Sequence, residues 1–204
     1  MSSGLAPSRT FVARSAALVA PELVGMVLVA GQSSARIVEV EAYDPDDPAS
    51  HSFIGERSRN RVMFERPGHL YVYRSYGLHW CANVVCGPVG VGAAVLLRAG
   101  EPTAGEESMW SRRPLAKTDR QLCGGPGRLC AALGIDGTAN GVDLLNPTGG
   151  LRLETAPLNR AVTALVRTVR VGITKAAAEP LRWYEEDSVY VSHRTRSGPR
   201  PASS

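Results

Sequence analysis

Apolar and acidic residues alternate along residues 36–43, the period-two pattern of a β-strand. Side chains two apart share a strand face, so Glu39, Glu41 and Tyr43 are expected to project together. Taken alone, the octapeptide also fits an edge strand whose acids face water. Upstream, Ser15 is placed to cap a helix through residues 16–19, with Pro21 opening a further turn and Gly25 ending it. Residues 26–30 read as a strand and 31–34 as a turn into residues 35–43, which makes a hairpin. Residues 44–48 hold two prolines and must be loop, delivering His51.

Strand patterns recur at residues 70–73 and 82–85, joined by a connection that crowds Tyr76, Leu78 and Trp80 beside Arg74 and His79. Aromatic side chains flanked by bases at a hairpin tip call for a partner, although Tyr71 and Trp80 also suit the core of a sheet. Residues 87–94 contain a Gly-x-Gly-x-x-Ala match, but Val95-Leu96-Leu97 are strand formers. The segment therefore reads as a glycine-rich turn and not as a dinucleotide fingerprint, which must open a helix. Residues 106–120 read as helix broken at Pro114, and residues 124–133 as a turn feeding a helix with Pro126 near its start. Residues 151–153, 162–171 and 189–191 supply further strands. The expected organisation is a flexible segment over 1–14, one domain over 15–193 and a flexible basic tail over 194–204.

With 204 residues the chain has room for one domain with a substantial core, and 44% hydrophobic and 21% charged content suits a globular protein. A net charge of +4 admits a polyanionic partner without establishing one. No apolar run reaches the roughly 18 residues of a membrane span, and the N-terminus lacks the features of a secretory signal. No membrane association and a cytoplasmic location are expected. Cys81, Cys86, Cys123 and Cys130 lack metal-knuckle spacing and read as buried free thiols, with no metal site.

Several ordered pieces change the picture together. They are residues 36–43, Arg59-Asn60-Arg61 with Met63-Phe64, residues 70–77, Asn83 and residues 95–102. Leu122-Cys123-Gly124-Gly125-Pro126 with Leu129-Cys130, and Pro180-Leu181-Arg182-Trp183-Tyr184, complete the set. Across residues 18–192 the chain resembles the alkyladenine (3-methyladenine) DNA glycosylase family, as a bacterial member. The resemblance implies one mixed α/β (α+β) domain: a curved, mainly antiparallel β-sheet surrounded by helices, with a protruding β-hairpin that probes DNA. It implies a monofunctional DNA N-glycosylase without lyase activity, acting as a monomer on damaged purines in double-stranded DNA, near the nucleoid. No cofactor is implied.

The resemblance also implies roles. Glu41 activates water, chosen over Glu39 because the matching triplet is Glu-Ala-Tyr. Tyr43, His51 and Tyr73 stack on the flipped base, Asn83 gates the pocket against guanine, and Tyr76 fills the gap in the duplex. Arg98 contacts the nucleotide's backbone, and Arg59 and Arg61 are candidates for nearby phosphates. The chain departs from the family at Arg74-Ser75 and Leu78, where better-known relatives carry aliphatic or longer apolar residues, and these positions bear on substrate preference. From a different class, a non-catalytic lesion-binding protein of the same fold is the alternative. Loss of the Glu41 position would have favoured it, and Glu41 is present.

Overall fold

The computed structural model describes residues 4–155 and 161–194. Along the chain run α1 (Arg9–Val12), α2 (Ala16–Leu23), β1 (Val27–Ala30), β2 (Ser33–Tyr43), β3 (Leu70–Ser75), β4 (His79–Cys86) and β5 (Ala93–Ala104). There follow α3 (Glu106–Arg112), α4 (Asp119–Cys123), α5 (Pro126–Leu133), β6 (Leu151–Glu154), β7 (Leu165–Thr168) and β8 (Arg182–Glu185). The strands form one antiparallel sheet in the order β3-β4-β5-β2-β1-β6, with β8 also pairing with β2 and β7 with β8. The sheet forks at β2: its first half pairs with β1, while Glu39–Glu41 pair with β8 on the same side.

The sheet's two faces differ in chemistry. Leu70 and Val72, Ala82 and Val84, Val95 and Leu97, and Val40 and Ala42 enter the main core with α2 and α5. Their neighbours Tyr71, Tyr73, Asn83, Leu96, Arg98 and Glu41 line a cavity on the opposite face. On β2 the alternation changes phase: Ala35 and Ile37 enter the core, and beyond Glu39 the core positions become Val40 and Ala42. Two register shifts account for this. Ile37 pairs with Gly100, Glu39 with Ala99 and Val40 with Leu97, so Val38 and Arg98 are each an extra residue in the ladder.

Several expectations shift locally. The Ser15 side chain makes no capping bond; the Asp44 carboxylate instead accepts from the amides of Ala16 (2.9 Å) and Ala17 (3.2 Å). Residues 4–14, placed outside the domain by composition, pack on it: Val12 is fully buried, and Arg9 donates to the Pro67 carbonyl and to Asp143. The β1–β2 turn shrinks to Gly31 and Gln32, and β3 and β4 run closer to the tip than their apolar cores suggested. Residues 189–191 are not a strand; the Ser192 amide that follows them donates to the buried Glu39 carboxylate, and β8, unread in sequence, takes the place beside β2. The turn between β4 and β5 places Gly87, Gly90 and Gly92 at positive φ, as a glycine-rich hairpin turn requires. All four cysteines are buried and free. Among the described residues no helix is long and apolar enough to cross a membrane. The tail from residue 195 onward lies outside the described residues.

Candidate active site

Glu41 sits in the middle of the sheet, between β5 and β8, with no exposed surface, so the edge-strand reading is overturned. One carboxylate oxygen accepts the Val171 amide at 2.8 Å. The other accepts the Tyr43 hydroxyl at 2.9 Å and lies 3.3 Å from Nη1 of Arg98. Burial and the neighbouring Glu41 carboxylate push the Tyr43 phenol well above its usual range, so it stays protonated and donates. The Arg170 guanidinium lies 4.7 Å from the Tyr43 ring centroid and is itself paired with buried Asp47. Glu41 lines a cavity of about 790 Å³, inside the roughly 300–1,000 Å³ range of small-molecule sites.

Three rings build one wall. Tyr71 and Tyr73 stack with centroids 5.6 Å apart, and His51 meets Tyr73 edge-on at 4.4 Å. His51 Nδ1 lies 3.0 Å from the Tyr71 hydroxyl. Desolvation, and then the nearby Arg59 charge, hold the imidazole below its usual range, although the residue as a whole is exposed. Burial pushes the Tyr71 phenol up to about 12, and Tyr73 rises for the same reason. The loop carrying His51 is tied by fully buried Asn60, whose amide donates to the His51 carbonyl (2.8 Å) and the Gly55 carbonyl (3.1 Å).

Asn83, 4% exposed, projects into the cavity from β4 while its amide donates to the Tyr71 carbonyl at 3.0 Å. At the rim, Tyr76 is 90% exposed and takes a positive φ of 49° in the turn between β3 and β4. Arg59 and Arg74 also line the cavity, with Arg74 stacked over Trp80 at 5.6 Å. Arg61 is exposed, 3.7 Å from Glu65, and is not part of the lining. Arg98 lines the cavity but is 7% exposed and held by both carboxylates, so its charge serves Glu39 and Glu41 first. Glu39 shares the β2 face with Glu41 but does not reach the cavity.

The structure therefore gathers Glu41, Tyr43, His51, Tyr73, Asn83, Tyr76, Arg98 and Arg59 around one cavity and leaves Arg61 outside it. Sequence reasoning missed Tyr71 and the 171–173 wall. The parity of Tyr71 with Tyr73 on β3 was a usable signal. Nothing local marked Val171, whose contribution is a backbone amide. Among the described residues no cluster of three or more His, Cys, Asp or Glu side chains could hold a metal ion.

Comparison with known proteins adds the following. The family profile described as Methylpurine-DNA glycosylase (MPG) matches residues 10–189. A Granulibacter bethesdensis protein is 50% identical over 174 residues, covering 85% of this chain and 81% of its own. A Rhodopseudomonas palustris protein is 50% identical over 189 residues, covering 91% and 87%. An Agrobacterium fabrum protein is 47% identical over 186 residues, covering 91% and 92%. All three are provisionally named 3-methyladenine DNA glycosylases.

Proposed function

The chain belongs to the methylpurine-DNA glycosylase family, and from that premise we propose that it hydrolyses the N-glycosidic bond of alkylated or deaminated purines flipped out of double-stranded DNA. One observation carries this reading: a fully buried carboxylate, Glu41, faces a ring-lined cavity whose rim bears an exposed tyrosine. Base chemistry on a duplex needs the nucleotide extruded, a pocket to stack it and a filler for the vacated step. Tyr43, His51, Tyr71 and Tyr73 supply the stacking surfaces, and Tyr76 is the filler.

In the reaction a water activated by Glu41 attacks C1′ of the deoxyribose and passes its proton to the carboxylate. The C1′–N9 bond breaks and its electron pair leaves with the purine. A base alkylated at N3 or N7 departs neutral, because that pair cancels its positive charge. Glu41 also stabilises the cation that develops on the sugar. Neutral Tyr and His rings around a cationic base contribute a cation–π attraction of roughly 0.5–2 kcal/mol over an uncharged one. Asn83, held by the Tyr71 carbonyl, stands where an exocyclic amino group would clash. Exposed Arg59 and Arg74, both on the cavity lining, meet phosphates around its mouth. The described lining holds no lysine, which favours simple hydrolysis to an abasic site.

The test is base release from duplexes that each carry one lesion, with Glu41→Gln run alongside. Wild-type protein should release at least one alkylated purine, and Glu41→Gln should bind the same duplex but act at least about 100-fold more slowly. Wild-type protein that binds lesions yet releases none would leave only the non-catalytic alternative.

A further inference from the structure

Glu39 is as completely buried as Glu41, and it does not line the cavity that Glu41 borders. Four donors converge on it nonetheless. Its Oε1 accepts from Nε of Arg98 (2.9 Å), Nε of Arg182 (2.8 Å) and Oγ of Ser192 (2.8 Å), and its Oε2 accepts the Ser192 amide at 2.6 Å. The same Ser192 hydroxyl lies 3.3 Å from Nη2 of Arg98. Arg98 is the extra β5 residue at the register shift, so strand pairing does not set its direction as it does for its neighbours.

We propose that Glu39, together with Ser192 from the C-terminal segment, is a positioning residue that aims Arg98 at Glu41. The proposal rests on the reading of Glu41 as the water-activating base. A guanidinium is a rigid plane, so fixing Nε on Glu39 and Nη2 on Ser192 determines where Nη1 points. That third nitrogen is the one 3.3 Å from Glu41. Charge supports the arrangement: Glu39 and Glu41 face Arg98 and Arg182, two acids against two bases. Arg182 neutralises Glu39 and leaves the Arg98 charge to be shared with Glu41. The Ser192 carbonyl accepts from Arg120 at 2.7 Å, and the neighbouring His193 carbonyl accepts from Arg182, so the C-terminal segment is itself pinned at this point.

The experiment is a double-mutant cycle read by single-turnover base release and, separately, by binding to the lesion duplex. Glu39→Gln should slow release by about 10- to 100-fold, the scale of a misplaced reacting group, while binding is unchanged. Arg98→Lys keeps the charge and loses the rigid fork, so adding Glu39→Gln to it should slow release no further. Effects that multiply, or a wild-type rate in folded Glu39→Gln, would overturn the proposal, since a purely structural acid changes melting and not the rate. If Glu39→Gln does not fold, Ser192→Ala decides: it keeps Glu39 and should slow release several-fold, by about 10-fold at most. A wild-type rate in Ser192→Ala would then overturn the idea. Glu41→Gln that still releases base would sink the base assignment instead, a result separable from the cycle.

Discussion

Replacing Tyr76 by alanine separates a residue needed for binding from one needed for folding. The ring is 90% exposed, and the turn is closed by a main-chain bond, from the Leu78 amide to the Ser75 carbonyl at 2.9 Å. Alanine inherits the same positive φ of 49°, so the strain of that conformation is carried over and not added. Stability should therefore move by no more than roughly 0.5 kcal/mol, as for ordinary surface changes. In the proposed complex the ring would replace a stacked base, and stacking on an aromatic side chain is worth about 1–3 kcal/mol. Taking ~2 kcal/mol at ~1.4 kcal/mol per decade, lesion binding should weaken about 30-fold. The salt dependence should not change, because the ring neutralises no phosphate and Arg59 and Arg74 remain. Anisotropy titrations of a lesion duplex across a salt series, with melting on the same preparation, measure all three quantities. Unchanged affinity would refute the wedge, and a shallower salt slope would mean that the hairpin acts through charge.

Asn83→Ser should shorten the gate and raise release of undamaged guanine roughly 10-fold relative to alkyladenine, the scale of one steric contact. Guanine release that stays flat while alkyladenine release falls would make Asn83 a support for the Tyr71 carbonyl and nothing more. Acid stability tests Glu39: burial raises its pKa, but Arg98, Arg182 and the Ser192 donors outweigh that and hold it below its ordinary 4.5. The native state then binds its proton later than the unfolded chain, so this stabilisation is present above the ordinary carboxylate range and is lost as pH falls through the lowered pKa. Melting temperatures of Glu39→Gln should accordingly fall less steeply than wild type below about pH 4.5, and parallel curves would contradict the assignment.

Local pattern carried much of the fold. The period-two runs at β2, β3 and β4 were legible because each strand has one core face and one cavity face. The resemblance then named eight of the residues around the cavity. What stayed hidden depended on contacts distant in sequence. Ser15 had the composition of a cap, yet Asp44 reaches the same amides from the end of β2. Residues 4–14 looked like an unstructured terminus because their anchors, Pro67 and Asp143, lie far along the chain. The 189–191 segment had strand composition, but the Ser192 amide that follows it is committed to a buried carboxylate and not to a ladder.

The two acids of β2 show why spacing could not separate their roles. Both face the same side, both are fully buried, and both touch Arg98. Their difference comes from what lies beyond β2. Glu41 meets the open cavity and the Val171 amide, while Arg182 of β8 and Ser192 close over Glu39. A carboxylate with four donors on it has little capacity left to polarise a water, whereas Glu41, with three polar partners, borders the cavity proposed to hold the substrate. The assignment of the base thus rests on the fork of the sheet at β2, which brings β8 and the C-terminal segment over one acid and leaves the other facing the cavity.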